Sequence, residues 1–230
     1  MIAAPPPAAL TAAPARIELS GAARQVVRVT NPGRTGVVVD AVQAGFALGL
    51  HGRPRIVQRD PAARVSIRPR SLALRAGETR TIVVSSAAAS GQAGDHAALV
   101  LLTTRPRRTA SVGVRLRLGI VVIVRVPGAV VHRLALAALR ARRGVLDVVV
   151  RNRGNVVERI GARNLHVRLR RGGRVVATLA VPERELLPGA RGIVELRRPA
   201  RVRGSLRALV ELWSRSNPAG AVRRSFPVRG

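Results

Sequence analysis

GVRLRLGIVVIVRVPG, residues 113–128, is the longest apolar-rich stretch of the sequence. Every even-numbered position in it is apolar, whereas the odd-numbered positions carry arginine towards both ends and apolar residues in the middle. Such strict alternation predicts a β-strand with one face in a hydrophobic core. Because Gly119, Val121 and Ile123 make the other face apolar as well, we expect something to cover them.

The segments before this stretch are short, rich in valine and separated by turn signals, among them Asn31-Pro32-Gly33 and Ala76-Gly77-Glu78. Arg105-Pro106-Arg107-Arg108 is the predicted hairpin tip that leads into residues 113–128. About seven short strands in this arrangement are typical of an immunoglobulin-like β-sandwich. The predicted strands are residues 15–19, 24–31, 36–46, 65–68, 79–85, 96–104 and 113–128.

The same patterns return in the same order after Gly128. VLDVVVRNRG at 145–154 matches VVRVTNPG at 26–33, and LLPGARGIVEL at 186–196 matches LRAGETRTIVV at 74–84. RGSLRALVELW at 203–213 matches GDHAALVLLT at 94–103. Three matches in one order indicate an internal repeat.

The second half therefore predicts a second sandwich. A hairpin is expected around Gly172-Gly173, since two glycines suit a turn with positive φ. The stretch from Ala129 contains good helix formers, but its alternation and the repeat favour a strand. We thus expect an all-β protein of two tandem immunoglobulin-like β-sandwich domains. The expected boundaries are an Ala/Pro-rich leader or export-signal remnant at 1–14, a first sandwich at 15–128 and a second at 129–230.

The composition is strongly basic. Among 230 residues there are 41 basic and 11 acidic side chains, for a formal net charge of +30, and none of the basic ones is lysine. An all-arginine set together with abundant Ala, Gly, Pro and Val suggests that codon bias accounts for part of this charge. The charge still attracts anionic surfaces, so salt-sensitive, non-specific nucleic-acid binding is expected in vitro. A physiological nucleic-acid target is disfavoured, because the chain has only three aromatic side chains on which bases could stack.

No residue pattern predicts catalysis, a metal site or a cofactor. The absence of cysteine excludes disulfides and thiolate metal sites. The four histidines share no spacing, and we expect them to be solvated or at strand edges. The acidic residues mostly lie next to arginine and are expected to be surface counter-charges. We therefore predict that the protein is not an enzyme. No apolar run is long enough to span a bilayer.

Several motifs of the first half carry a family resemblance. In order they are ARIEL, VVRVTNPG, SIRPRSLALRAGETRTIVV, GDHAALVLL and VRLRLGIVVIVRVPG. Together they resemble the N-terminal domain of bacterial cell-surface proteins of the WxL-interacting type, over residues 15–128. More distantly, the chain is similar to the first domain of periplasmic pilus chaperones, whose last strand is also an alternating apolar ladder. The usual aromatic residue of the "G.y" motif is His96 here.

The first resemblance implies a secreted or cell-surface scaffolding protein that binds an anionic envelope polymer, such as the cell wall, or another surface protein. The second implies a periplasmic chaperone that captures pilin-type subunits by strand donation from residues 113–126. Such chaperones bind the partner's carboxylate with basic residues, for which the resemblance suggests Arg16 and Arg125. Both alternatives place the protein at an extracellular, cell-surface or periplasmic location.

The apolar face of Gly119, Val121 and Ile123 has three candidate covers. They are a loop or the second domain of the same chain, a strand of a partner protein, or a second copy in a homodimer. A partner strand along residues 113–126 is the cover that the pilus-chaperone resemblance implies.

Overall fold

A computed structural model describes residues 9–87, 91–105, 115–142, 144–202, 204–214 and 217–228, the last segment by its backbone alone up to residue 221. Every regular element in these residues is a β-strand, so the predicted all-β fold is confirmed. The predicted hairpin tip at 106–108 and the first eight residues lie outside the described residues. No helix in the described part of the chain is long and apolar enough to cross a membrane.

The chain forms two compact units. The first comprises Met1–Ala47 and Ile56–Gly128, and the second comprises Leu48–Arg55 and Ala129–Gly230. The strands of the first half are β1 Thr11–Ala13, β2 Arg16–Ser20, β3 Arg24–Thr30, β4 Val37–Leu48, β5 Pro54–Val57, β6 Val65–Arg68, β7 Ser71–Leu74, β8 Thr79–Ser86, β9 Gly94–Thr104 and β10 Arg117–Val126.

The first unit is a sandwich of two sheets. One sheet has the strand order β1-β3-β8-β6, and the other has the order β2-β10-β9-β4-β5, with β7 also paired to β4. Inward-facing residues of both sheets form a core in which Val27, Ile82, Val100 and Ile120 are completely buried. Alternate residues face this core because successive side chains of a strand point to opposite sides of the sheet.

The beginning of the chain contributes to both sheets of this sandwich. Strand β1 pairs antiparallel with β3 in one sheet, and β2 pairs parallel with β10 in the other. Strand β1 lies within the residues that we predicted as a leader. The parallel pair arises because β2 and β10 enter the sheet from the same end, whereas the neighbouring β9–β10 pair is antiparallel.

The second unit is built in the same way. Its strands are β11 Leu134–Arg142, β12 Val145–Asn152, β13 Glu158–Ile160, β14 Leu165–Arg171, β15 Arg174–Thr178, β16 Arg184–Leu186, β17 Arg191–Arg197, β18 Leu206–Ser214 and β19 Asn217–Val228. They form sheets of order β11-β12-β17, β13-β16 and β15-β14-β18-β19. The strand predicted after Ala129 is confirmed by β11. The Gly172-Gly173 turn between β14 and β15 has positive φ at both residues, as expected.

A buried asparagine closes one turn of the first unit. The Asn31 side chain is 1% exposed and donates hydrogen bonds to the carbonyl oxygens of Thr35 and Arg75, at 2.9 and 2.8 Å. Its Oδ1 accepts from the Gly33 N–H at 3.1 Å. The Gly77 N–H donates to the Asn31 carbonyl at 2.8 Å. One side chain thus joins the end of β3 to the turn before β8.

The second unit repeats this device at Asn152. The fully buried Asn152 amide donates to the carbonyl oxygens of Val156 and Leu186, at 2.7 and 3.1 Å. Its Oδ1 accepts from the Gly154 N–H at 2.8 Å. The turn glycines also correspond, since φ is +71° at Gly77 and +72° at Gly189. The internal repeat predicted from the sequence is therefore present in the structure.

Candidate partner-binding edge

Strand β10 is paired unequally along its two edges. On one side it pairs with β9 over its whole length, from Arg117 to Val126. On the other side β2 pairs only with Val121 to Arg125. Within the described residues no strand pairs with the remaining part of this edge, residues 117–120, which we call the free edge.

The hydrogen bonds around β10 show which backbone groups the free edge presents. The Thr104 N–H donates to the Leu116 carbonyl at 3.0 Å, so even-numbered residues direct their backbone groups towards β9. The Val121 N–H donates to the Ala15 carbonyl at 3.0 Å, so odd-numbered residues direct theirs to the opposite side. The N–H and C=O groups of Arg117 and Gly119 therefore point out of the free edge.

The side chains of β10 alternate as the sequence predicted. Even-numbered residues belong to the first core, with Leu118 partly buried against it. On the opposite face, which we call the outer face, Gly119 is exposed and Val121 is half-buried. Ile123 is 3% exposed and is not a member of the core cluster. The three predicted site residues thus share one face but differ strongly in accessibility.

The outer face beside Gly119 is apolar. Gly119 lies opposite Leu101 of β9, which lies opposite the half-exposed Val42 of β4. A methyl group at position 119 would come within 3.0 Å of a Leu99 methyl. Glycine therefore allows Leu99 to lie across the β10 backbone next to the free edge.

Arg16 lies on β2, directly opposite Val121. Its guanidinium forms an ion pair with Glu18, with Nη2 to Oε1 at 3.2 Å and side-chain exposures of 29% and 65%. The outer face therefore carries a partly neutralised cation beside Val121 at the end of the free edge.

Arg125 forms its ion pair with a more deeply buried acid than Arg16 does. Its Nε and Nη2 donate to the two carboxylate oxygens of Asp95 at 2.7 and 2.8 Å. The Asp95 side chain is 1% exposed. The hydrogen bond to Asp95 raises the pKa of Arg125 above its ordinary value, against the lowering effect of burial. A fork-to-carboxylate pair of this kind fixes the orientation of the arginine.

Two expectations about polar residues are wrong. Asp95, Asp147, Glu158 and Glu211 are buried, although we predicted surface counter-charges. Each contacts a basic side chain, on a neighbouring strand for three of them and at His132, just before β11, for Glu158, and this offsets the cost of burying the charge.

His96 is less exposed than expected, because it contacts an acidic side chain. The His96 side chain is only 14% exposed, with Nδ1 2.8 Å from Asp60 Oδ2 and Nε2 2.8 Å from the Gln92 carbonyl. His51 is about half exposed, in agreement with the prediction. The described residues contain no group of three metal-ligating side chains.

The sequence analysis missed Arg117 and Arg115 as site residues. Both are exposed, and Arg117 supplies backbone groups to the free edge. The signal was available in the length of the first strand, because a five-residue β2 cannot cover a ten-residue β10. The arrangement as a whole can accept one further β-strand, and nothing in the described residues suggests a catalytic centre.

Comparison with known proteins gives structural but not sequence matches. No protein-family model and no curated protein sequence matches this chain. A chain from the chaperone–tip adhesin complex of CFA/I fimbriae biogenesis matches with a TM-score of 0.54 at 12% identity, covering 95% of this chain and 97% of that one. The YadV chaperone matches with a TM-score of 0.52 at 12% identity, covering 95% and 98%.

A third match is the CsuC–CsuE chaperone–tip adhesion subunit pre-assembly complex of Acinetobacter baumannii. Its TM-score is 0.51 at 12% identity, covering 96% of this chain and 98% of that one. At this identity the matches show the fold, which is the two-domain fold of the pilus chaperones. The second resemblance from the sequence is thereby confirmed, and the resemblance to WxL-interacting proteins is not supported.

The first functional expectation is contradicted by these matches. We expected a cell-surface scaffold for an anionic envelope polymer or surface protein, whereas the structures matched over almost the whole chain are named as chaperones or chaperone complexes. They fit the alternative expectation, capture of a pilin-like subunit. The prediction that the protein is not an enzyme agrees with the same matches, as does a location outside the cytoplasm.

Proposed function

We propose that this protein is a chaperone-like protein of the periplasm that captures a pilin-type subunit by lending it a strand from residues 113–126. The observation that carries the proposal is the free edge of β10. This strand is otherwise paired, but the backbone donors and acceptors of Arg117 and Gly119 are open to a strand of another chain. Unpaired backbone groups on a sheet edge are a template for a strand of another chain.

The residues around the free edge have separate roles in this proposal. Gly119 and Val121 contact the partner on the outer face, and Ile123 supports them from its buried position. Arg16 and Arg125 are the proposed ligands of a partner carboxylate. Arg16 forms an ion pair with the exposed Glu18, whereas Arg125 forms one with the buried Asp95.

Removing one outward N–H tests the proposal. Proline at position 117 deletes an N–H that faces away from β9, so the β9–β10 ladder stays intact. Arg117→Ala is the matched control, because it removes the same side chain and keeps the N–H. We expect Arg117→Pro to lower recovery of a co-expressed pilin-type subunit at least tenfold relative to Arg117→Ala.

A second variant probes the outer face. Val121 is half-buried and outside the core cluster, so Val121→Arg should leave the fold unchanged while preventing capture. Circular dichroism and thermal unfolding check the fold. If Arg117→Pro and Val121→Arg are folded and both capture the subunit as well as the unchanged protein does, the proposed function is wrong.

A further inference from the structure

Exposed arginine side chains lie at and beside the free edge. Arg117 lies on the outer face two residues before Gly119, Arg115 lies two residues before the start of β10, and both side chains are exposed. Within the described residues neither has an ion-pair partner. The rim of the free edge therefore carries two uncompensated positive charges beside an apolar position.

The acid closest in register cannot neutralise Arg117. Arg117 lies opposite Thr103 of β9, and Thr103 lies opposite Asp40 of β4. The Asp40 carboxylate already accepts two hydrogen bonds from Arg105, at 2.6 and 2.7 Å. An added strand would be a direct neighbour of Arg117 on its other side.

Residues opposite one another on adjacent strands have Cβ atoms about 4.5–5.5 Å apart, and opposite charges there are stabilising. Positions 117 and 119 lie on the same face because side chains alternate along a strand, and the hydrogen bond from the Thr104 N–H to the Leu116 carbonyl continues the β9–β10 pairing towards Arg115. The position facing Gly119 meets the apolar surface of Leu99 and Leu101 instead of a charge.

We propose that the free edge selects a partner strand by its charge pattern. The selected strand carries, on the outer face, acidic residues opposite Arg117 and Arg115 and an apolar residue opposite Gly119. This inference rests on the proposed function and specifies the chemistry of the partner. A second copy of this chain does not fit, since it would add its own two arginines to the same face, and like charges on adjacent strands repel.

Labelled synthetic peptides provide the test. The probe is an eleven-residue peptide in which valine alternates with threonine, except that two successive threonine positions are glutamate and the threonine positions on either side of them are valine, so that an apolar residue can face Gly119. The control peptide has the same composition and charge, but its two glutamates are adjacent, so that they lie on opposite faces. Fluorescence anisotropy at low salt should show about twofold to fivefold tighter binding of the probe, because the control keeps only one glutamate on the outer face and so lacks one opposite-charge pair.

Variants of the chain assign this preference to the edge. Arg117→Glu should abolish the preference, because one glutamate of the probe then faces a carboxylate. Arg28→Glu is the matched control, because Arg28 is exposed on β3 of the other sheet and the net charge changes equally. The preference should survive in Arg28→Glu.

The outcomes separate the two proposals. If all peptides bind equally and Arg117→Pro abolishes their binding, the charge inference is overturned while edge pairing stands. If Arg117→Pro binds every peptide as the unchanged protein does, both the inference and the proposed function fail. A concentration-dependent dimer that Arg117→Pro abolishes would assign the edge to a second copy and also overturn the inference.

Discussion

Asp40 and Arg105 form a forked ion pair at the end of the β4–β9 ladder. Their two hydrogen bonds measure 2.6 and 2.7 Å. The hydrogen bond from Arg105 lowers the pKa of the Asp40 carboxyl group below its ordinary value, against a smaller effect of burial that raises it. A carboxyl group whose pKa is lower in the folded than in the unfolded state stabilises the fold above its unfolded pKa. That stabilisation is lost as the pH falls through the folded pKa.

The pair therefore makes stability depend on pH in a defined direction. Asp40→Asn should lower the thermal unfolding temperature at pH 7, and the difference from the unchanged protein should disappear once the pH falls below the folded pKa of Asp40. Thermal unfolding between pH 7 and pH 2 measures this. Arg105→Gln serves as a control that should give the same dependence. A difference that stays constant over this range would show that the pair contributes no charge-dependent stability.

Individual polar residues were the least predictable part of this chain. Arg125 was identified as a candidate, but nothing near it in sequence indicates that Asp95 holds it. The pairing depends on the β9–β10 register, which places the two residues directly opposite each other across a hairpin. Because β9 ends at Thr104 and β10 begins at Arg117, the connection is too long for a two-residue turn to define the register.

Each unit contains a glycine turn at the corresponding place in its fold. Gly77 precedes β8 and Gly189 precedes β17, and both have φ near +70°. An added Cβ at either position would meet no atom within 4 Å, so any effect of alanine there comes from the backbone conformation. Left-handed backbone is unfavourable for residues with a Cβ.

Alanine at these turns should therefore destabilise each unit by a similar amount. We expect Gly77→Ala and Gly189→Ala each to lower the free energy of unfolding by about 1–2 kcal/mol. Urea unfolding followed by circular dichroism measures the loss. Gly49→Ala is the control, since Gly49 does not have positive φ and an added Cβ there would be at an ordinary 3.6 Å from its neighbours. Unchanged stability in both turn variants would contradict the strain argument.

Strands differed in how well the sequence predicted them. Strands β3 and β10 were predicted because their residues alternate, and β9 was predicted from its nearly continuous apolar run. Strands β1, β5, β13 and β16 have only three or four residues, which is too short for a period to show. The free edge was missed for a related reason, since its limit depends on where the five-residue β2 begins.

The protein as a whole carries a formal net charge of +30. The ion pairs of the described residues join a few of the 41 arginines to most of the acids, which leaves a large excess of positive charge. Long-range attraction to polyanions follows from such an excess whatever the protein's partner is.

This charge predicts retention on a heparin column at low salt. Retention should weaken as sodium chloride is added, because binding of the arginines releases counterions from the polyanion and is opposed by salt. Arg117→Glu should elute only slightly earlier, since it changes a small part of a large excess. Failure to bind heparin at 50 mM salt would show that the arginines are neutralised by contacts that the sequence does not reveal.

The two-unit organisation was predictable because the repeat leaves several independent traces in the sequence. The asparagine turns, the turn glycines and the apolar strand before each last strand recur in one order. Function was not predictable in the same way, since fold motifs are shared by proteins with different partners. What distinguished the alternatives was the similarity of the whole two-domain fold to fimbrial chaperones.

Strand β2 limits the proposed partner-binding edge at one end, where its pairing with β10 begins. Its first contact with β10 is the hydrogen bond from the Val121 N–H to the Ala15 carbonyl. An added strand that runs along β10 meets the end of β2 at this point and can go no further without displacing it. The parallel pair thus sets the point on β10 at which an added strand must stop, so in the proposed complex it limits how long the paired segment of the partner can be.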